Sequence, residues 1–592
     1  MDDLPIKRVN SLSNLRPITP PLNGQPIADA NFPFKMDALY LDSSNRSTST
    51  DSQSAASFSS SSPPAHPISL TVSAESWHSS SLLTIVILGA SGDLAKKKTY
   101  PSLFNLFKSR LLPRRGCSIY GYARSKKTDE EFRQGLFGYL NVNKNNENGD
   151  VEAFLELCFY RSGSSYGDEE AMGRLNEEVL DFEGRGEAAS ASVSGGGGGG
   201  RVKTCNRLFY FAIPANVFAQ SAAAIKNKMA HSLTHNTPTD WIRIIVEKPF
   251  GHDSESCATL SKALSASFNE QSLYRIDHYL GKEMVQNLMI MRFGNVWFEK
   301  LWNRNDVAAV VLTFKEPFGV EGRAGYFDKY GIIRDILQNH LLQVLTLIAM
   351  EPPLKAMGPN SGDNIRDAKV AVLKAMKEIK LEDCLLGQYE GYRDDPEVPD
   401  DSTTPTFAIV KCFVNTPRWS GVPFILKAGK ALNERKAEVR IQFKDAPASE
   451  FMFDMQVPRN ELVIRLQPRE AIYMKTNVKT PGFSSQPIQS ELEVDYNTKF
   501  VDAVNPDAYT RLILDVLRGK QAAFVRDDEL TESWKIFTPL LHRIEKEKTE
   551  PIRYQQGSRG PEIQDALVED WGYIRNEDYV MYRGKVVHKS KI

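Results

Sequence analysis

Leu82-Leu-Thr-Ile-Val-Ile-Leu88 runs directly into Gly89-Ala-Ser-Gly92-Asp-Leu-Ala95, and the fold is decided at that junction. A short β-branched, apolar run that ends at a glycine and opens a Lys-rich stretch predicts a strand, a phosphate-binding loop and a helix. Gly89 permits the tight turn, Gly92 lets a pyrophosphate approach the backbone, and small Ala95 lets the helix pack on the sheet. Amides at the helix N-terminus add donors and partial positive charge. The spacing G-x-x-G-x-x-A differs from G-x-G-x-x-G, so this stretch is read together with its neighbours. The next predicted strand, Ser118–Ala123, ends in Arg124-Ser-Lys-Lys127. An acid at that place serves the ribose 2′-hydroxyl of NAD, whereas Arg124 suits the 2′-phosphate of NADP.

Three further stretches carry chemistry. Trp241–Val246 reads as a buried strand running into Glu247-Lys-Pro-Phe-Gly251, which sets Lys248 at the carboxyl end where ligands bind in open α/β sheets. From there Lys248 reaches both a nicotinamide and a sugar oxygen. Tyr274-Arg-Ile-Asp-His-Tyr-Leu-Gly-Lys-Glu283 gathers an imidazole, a guanidinium, two phenols, an ammonium and two carboxylates. On a helix, His278 and Lys282 share a face, and with Tyr279 beside them they would hold a phosphate or another small anion. Downstream, Ile332, Ile336, Leu337, Leu341, Val344, Leu345 and Ile348 form an apolar stripe at helical spacing. His340 lies inside that stripe, five positions after Asp335. Alcohol oxidation requires a base for the hydroxyl proton, and an imidazole kept in one tautomer by a carboxylate suits the task. Proximity in sequence makes Asp335 that carboxylate.

These stretches, with Thr313-Phe-Lys-Glu-Pro-Phe-Gly319 and Gly429-Lys-Ala-Leu-Asn-Glu-Arg-Lys-Ala-Glu-Val-Arg440, carry a resemblance over about residues 82–582 to the glucose-6-phosphate dehydrogenase family. The resemblance implies oxidation of D-glucose 6-phosphate at C1 to 6-phospho-D-glucono-1,5-lactone with hydride transfer to NADP, the first step of the oxidative pentose phosphate pathway. By this resemblance His340 is the base, Asp277 (not Asp335) is the carboxylate that orients it, and Lys248 contacts both cofactor and sugar. His278, Tyr279 and Lys282 bind the 6-phosphate. Glu316, Asp335, Lys430 and Gln467 hold the sugar end, joined by Arg435. The cofactor rests on Gly89, Ala90, Ser91, Gly92, Asp93, Leu94, Ala95 and Lys96, with Arg124 and Lys248. Some family members carry a second, structural NADP, whose expected residues here are Lys427, Lys436, Arg440, Arg465, Tyr473, Lys475, Arg559 and Tyr573. Three positions depart from that pattern: Lys427 stands for an Arg, Glu493 for an Asp, and Tyr582 for a Trp. In the nucleotide domain Phe218 replaces an expected Tyr. A homodimer or homotetramer is implied.

Composition agrees. The chain has 592 residues, 41% of them hydrophobic, and a formal net charge of −1, which argues against nucleic acid as a partner. No run of about 18 apolar residues exists to span a membrane. Six scattered cysteines, with no CxxC, read as reduced thiols, and no metal cluster is expected. Residues 1–80, rich in Ser and Pro, read as a disordered extension unlike a transit peptide. Residues 81–277 are expected to form a Rossmann-type doubly wound domain, with a Gly-rich surface loop at 184–200. Residues 278–592 are expected to form an α+β domain with a large, mainly antiparallel sheet that makes the dimer interface, so that the chain is α/β plus α+β. Two other functions are weighed: an NADP-linked oxidoreductase of another sugar, disfavoured by the anion pocket, and a non-catalytic assembly subunit, disfavoured by His340, Asp277 and Lys248. The expected location is the cytoplasm, with partial peroxisomal import through Ser590-Lys591-Ile592 as the alternative.

Overall fold

The computed structural model describes residues 81–140, 148–191, 204–230, 240–355, 361–479, 481–483, 485–501, 503, 505–576, 579–582 and 585–588. The N-terminal extension and the C-terminal Ser590-Lys591-Ile592 lie outside them. The predicted first strand is β1 (Ser81–Leu88), buried after its first residue because both faces are covered, as a continuous apolar run requires. With β2 (Cys117–Ala123), β3 (Cys158–Ser162), β4 (Thr204–Phe211), β5 (Ile242–Val246) and β6 (Leu273–Arg275) it forms a six-stranded parallel sheet in the order β3-β2-β1-β4-β5-β6. The chain reverses direction across the sheet at β1 and β4, which opens the crevice where a dinucleotide lies in this topology.

A nine-stranded sheet follows: β7 (Val307–Lys315), β8 (Cys384–Tyr389), β9 (Phe407–Phe413), β10 (Pro423–Gly429), β11 (Lys436–Phe443), β12 (Glu461–Gln467), β13 (Ala471–Lys479), β14 (Pro487–Asp495) and β15 (Ile552–Tyr554). Its order is β14-β13-β12-β11-β7-β10-β9-β8-β15, antiparallel except for the β7–β10 and β8–β15 pairs. Strict alternation along β11 (Lys436, Glu438, Arg440 and Gln442 against Ala437, Val439 and Ile441) gives the sheet one polar and one apolar face. The apolar face meets the helical rod that carries His340.

That rod differs from the expected helix. Residues Ile333–Leu341 wind as a π-helix before an α-helix, Leu342–Ala349, continues the buried stripe. One helix through His278 and Lys282 is also corrected: His278–Gly281 is a 3₁₀ turn, and Lys282 is extended (φ −73°, ψ 139°) ahead of the helix Glu283–Gly294. Asp277 caps the turn by accepting from the Tyr279 amide at 3.0 Å, and Gly281 is pressed so closely against the Ala508 carbonyl that a Cβ there would lie 2.7 Å from it. The Gly-rich insert is corrected at its start, because Gly184–Ala191 prolongs the helix Glu169–Ala191; its Glu and Ala residues favour helix. Residues 192–203 lie outside the described residues. The helix Ala508–Leu517, far along the chain, buries Leu512, Ile513, Val516 and Leu517 in the core under the parallel sheet.

Candidate active site

Asp277, just after β6, and His340, in the π-helical turn, are 63 positions apart in sequence, and their side chains meet: His340 Nδ1 and Asp277 Oδ1 are 2.5 Å apart, both buried. This pairing, expected only from the resemblance, replaces the reading in which Asp335 orients the base. Burial pushes the His340 imidazole below its ordinary value, while Asp277 pulls it upward without cancelling that effect. Asp277 itself is held at about 2 despite its burial, because His340 faces it. The pair therefore rests as a neutral imidazole with a proton on Nδ1, bonded to a carboxylate, and Nε2 is left as the free base. The Tyr279 ring stacks on His340 at 4.6 Å, and His278 meets its edge at 4.6 Å.

A chain of alternating charge runs away from the pair. Lys248 donates to the Asp335 carbonyl at 2.8 Å and lies 3.3 Å from Asp335 Oδ1. Asp335 Oδ2 stands 3.4 Å from the fully buried Lys430, which donates to Glu316 at 2.6 Å. Burial works against the Asp335 carboxylate, but Lys248 and Lys430 hold it below the usual range. Register explains the encounter: Gly429 pairs with Lys315 in the parallel β10–β7 ladder, so Lys430 and Glu316 follow side by side.

A cluster of His278, Tyr279 and Lys282 adjoins this row of charges, with Glu316 bearing on Tyr279. Lys282 lies 4.9 Å from the centre of the Tyr279 ring and donates to Gln467 Oε1 at 2.8 Å, so Gln467 joins Lys282 and Tyr279 in one cluster. Burial lowers the Lys282 ammonium, and Glu470 and Asp507 offset part of that effect. Burial, then the neighbouring His340, push His278 well down, so it enters the pocket as a neutral donor. Exposed Arg435 adds positive potential at Tyr279 and Lys282. Asp277, His278 and His340 offer ligand atoms within 4.8 Å of one another, yet the Lys248 charge bears on all three, and one carboxylate against that charge favours an anion over a cation.

At the other end of the crevice Gly89 adopts φ +82°, and a Cβ there would lie 2.1 Å from the Ala212 carbonyl. Over Gly92 only the Gly89 carbonyl, at 3.1 Å, would approach a Cβ, so that side is open to a ligand. The first helical bond of this turn runs from Lys96 N–H to Gly92 O, at 3.2 Å, which leaves the amides of Asp93, Leu94 and Ala95 at the helix N-terminus. Ser91 accepts from Ser125, at 3.3 Å, and Arg124 is exposed with its guanidinium over the Tyr166 ring, at 5.8 Å. This cradle fits a pyrophosphate. Phe218 is buried against Phe211 and offers the crevice no hydroxyl.

A second cleft, about 1040 Å³, opens on the polar face of the nine-stranded sheet. Lys427, Lys436, Arg440, Arg465, Tyr473, Lys475, Arg559 and Tyr573 all line it, from four strands and the C-terminal segment. Glu493 stands opposite Tyr473 in the β13–β14 ladder, and the side chain of Tyr582 lies outside the described residues.

Reading the sequence missed two features of the first site. Tyr509, from the helix Ala508–Leu517, stacks on His278 at 5.9 Å with nearly parallel rings. Buried Glu247 accepts from the Tyr210 hydroxyl at 2.5 Å, and burial raises its carboxyl to about 7. For Glu247 the signal was present, as a carboxylate beside Lys248 in a buried strand end; for Tyr509 there was none.

A neutral imidazole held by the carboxylate that follows β6, with a phosphate cradle after β1 of the same parallel sheet, is what removal of a hydroxyl proton during hydride transfer asks for, so fold and site place the chain among the nicotinamide-dependent dehydrogenases. The family profile "Glucose-6-phosphate dehydrogenase, NAD binding domain" matches residues 86–287, and "Glucose-6-phosphate dehydrogenase, C-terminal domain" matches residues 289–575. The chain belongs to the glucose-6-phosphate dehydrogenase family. It is 51% identical over 501 residues to glucose-6-phosphate 1-dehydrogenase 5, cytoplasmic, of Arabidopsis thaliana, covering 84% of this chain and 93% of that one. It is 48% identical to glucose-6-phosphate 1-dehydrogenase of Takifugu rubripes, covering 84% and 90%. A solved glucose-6-phosphate dehydrogenase in complex with its substrate glucose 6-phosphate superposes with a TM-score of 0.76 at 42% identity, over 84% of this chain and 98% of that one.

Proposed function

We propose the following division of labour for the family's reaction, oxidation of D-glucose 6-phosphate at C1 to 6-phospho-D-glucono-1,5-lactone. His340 Nε2 takes the C1 hydroxyl proton as C1 loses hydride, and the imidazolium so formed is stabilised by Asp277 at 2.5 Å. A bound nicotinamide dinucleotide supplies the carbon that accepts the hydride. Lys248, held by Asp335, positions the sugar oxygens between cofactor and base. Glu316, Lys430 and Asp335 orient the ring hydroxyls as a pre-paired network. Lys282, His278, Tyr279 and Arg435 hold the 6-phosphate, with Gln467 orienting Lys282.

The observation that carries this reading is the base with a free Nε2, one ring away from a pocket of phosphate-binding groups. Purified protein assayed with NADP and either glucose 6-phosphate or glucose tests it: kcat/KM for the phosphorylated sugar exceeds that for glucose by several orders of magnitude. Equal values would overturn the phosphate assignment.

We further infer NADP rather than NAD, from Arg124 at the end of β2 with Lys126 and Lys127 beyond it. The second cleft takes another NADP: its lining carries eleven Lys and Arg against six Asp and Glu, an excess that suits a polyanion. Exposed Val478, Leu492 and Val494 on β13 and β14 support self-association through that edge of the sheet, which molar mass from light scattering checks. The cytoplasm is the location, in line with the names of two curated relatives. The nucleotide domain spans 81–277 and the substrate and association domain 278–592, with the helix Ala508–Leu517 packed back on the former.

A further inference from the structure

Lys427 differs from most cations of the second cleft in the company it keeps, and unlike Arg435, which also lacks a carboxylate partner among the described residues, it is buried. Lys315 lies 3.0 Å and Lys436 2.9 Å from Glu434, Arg440 lies 2.8 Å from both Glu438 and Glu461, Lys475 lies 3.1 Å from Glu461, and Arg559 lies 2.7 Å from Asp565. Each of these charges is paired with a carboxylate before any ligand arrives. Lys427, in the middle of β10, is 8% exposed where it lines the cleft, and its hydrogen bond goes to the neutral amide oxygen of Gln564. Among the described residues it has no carboxylate within ion-pairing distance.

The groups that face it are mostly of its own sign. Lys315 comes from β7, Lys436 from β11 and Arg559 from the segment after β15, and all three oppose its charge. Asp565, from the helix Gln564–Asp570, favours the charge, but that carboxylate is already shared between Arg559 and Arg575. The Phe407 ring of β9 lies 5.7 Å below. An ammonium taken out of water without a counter-charge loses its proton readily. Burial, with Lys315 next, lowers Lys427 to about 7.

We propose that the second cleft binds its nucleotide together with a proton, and that Lys427 takes up that proton when a phosphate group supplies the counter-charge its protein surroundings lack. The proposal rests on the reading of this cleft as a nucleotide site and adds what that reading does not contain, a coupling of occupancy to pH. The empty cleft holds Lys427 largely neutral above pH 7, and the loaded cleft holds it charged. Since the loaded state binds more protons, affinity is greatest at or below pH 7 and falls as pH rises, by up to about tenfold per pH unit for one linked proton. Lys315, Lys436, Arg440, Lys475 and Arg559, each already set against a carboxylate, supply the rest of the attraction for the phosphates.

The test is titration calorimetry of the full chain with NADP at pH 8, in buffers of different ionisation enthalpy, so that the slope of heat against that enthalpy counts protons. At this pH the 2′-phosphate, with a second pKa of about 6, is already ionised and adds little. Wild-type protein binding two NADP per chain takes up about one proton more than Lys427→Arg, whose charge is permanent, and more than Lys427→Gln, which has none to gain. The active-site nucleotide contributes equally to all three and cancels in the difference. Two NADP per chain with the same proton count in all three proteins would overturn the proposal while leaving the nucleotide site standing. One NADP per chain would overturn the reading of the cleft itself and the proposal with it. Gln at position 427 leaves the buried position uncharged, so it keeps the comparison available if the larger Arg disturbs folding.

Discussion

Asp277→Asn separates two ways in which the carboxylate could serve His340. One oxygen, Oδ1, does two jobs: it accepts from the Tyr279 amide at 3.0 Å and faces His340 Nδ1 at 2.5 Å. In the variant, an amide group turned to bring Nδ2 there would set a donor against the Tyr279 N–H, deep in the protein, which costs about 1–3 kcal/mol. The Asn side chain therefore keeps its oxygen in that place, and His340 keeps its Nδ1–H tautomer with Nε2 free. What is lost is charge. The imidazolium formed in the transition state meets a neutral amide oxygen, and the penalty lies between an ionic hydrogen bond, about 1.5–3 kcal/mol, and an uncompensated buried ion, about 3–5 kcal/mol. Taking about 2–4 kcal/mol, kcat falls about 30- to 1,000-fold. A flipped tautomer would cost on the order of 10⁴, the loss found when an Asn replaces the orienting Asp of a serine protease. The pH profile gives an independent reading. Asp277 raises the His340 value against burial, so its removal lowers that value further and the acid limb of kcat/KM moves to lower pH. Steady-state assays from pH 5 to 9, with calorimetry of glucose 6-phosphate binding as the control, measure both effects. A loss of 10⁴ or more with an unmoved acid limb would refute the claim that the Tyr279 amide dictates the orientation of residue 277.

Three other perturbations bear on separate parts of the chain. Arg124→Asp is expected to lower kcat/KM with NADP and raise it with NAD; an unchanged ratio of the two would show that this exposed side chain plays no part in 2′-phosphate recognition. Lys282→Ala removes a charge-assisted partner of the phosphate, worth about 1.5–3 kcal/mol, and so raises KM for glucose 6-phosphate about 10- to 150-fold while activity on unphosphorylated glucose barely moves. Glu247→Gln addresses a carboxyl that burial raises from 4.5 to about 7. The folded state holds this proton after the unfolded chain has released it, so stability falls as pH climbs from 4.5 to 7, and the Gln variant flattens that part of the curve of Tm against pH. Parallel curves for the two proteins would show that Glu247 ionises like an exposed carboxylate.

Local sequence determined the elements whose cause is local. The β-branched run Leu82–Leu88, closed by Gly89, is a strand and a turn wherever it sits, because one face after the other must be covered and only glycine takes φ +82° without strain. The alternation along Ala437–Phe443 is likewise legible as a strand, while the polar cleft on one face of the sheet was expected only from the resemblance. Lys248, at a strand end before proline, and the cationic cluster around His278 identified the neighbourhood of the site in the same way. Resemblance supplied the pairing of His340 with Asp277; spacing alone pointed to Asp335, the nearer carboxylate, and it misled because a side chain's partner is set by what packs above it.

Only the tertiary structure decided the geometry that follows from packing between distant segments. The turn at His278 is 3₁₀ because Asp277 caps it and the helix beginning at Ala508 leaves Gly281 no room, and neither constraint shows in the periodicity of the decamer. Tyr509 reaches His278 across more than two hundred positions for the same reason. The state of Lys427 also belongs to the fold: a lysine in a strand is an ordinary cation until four neighbouring segments bury it among Lys315, Lys436 and Arg559 with an amide for a partner. Periodicity is a property of one segment and is written along it, whereas desolvation and charge pairing are sums over all the segments that meet at a point, and they exist only once the chain has folded.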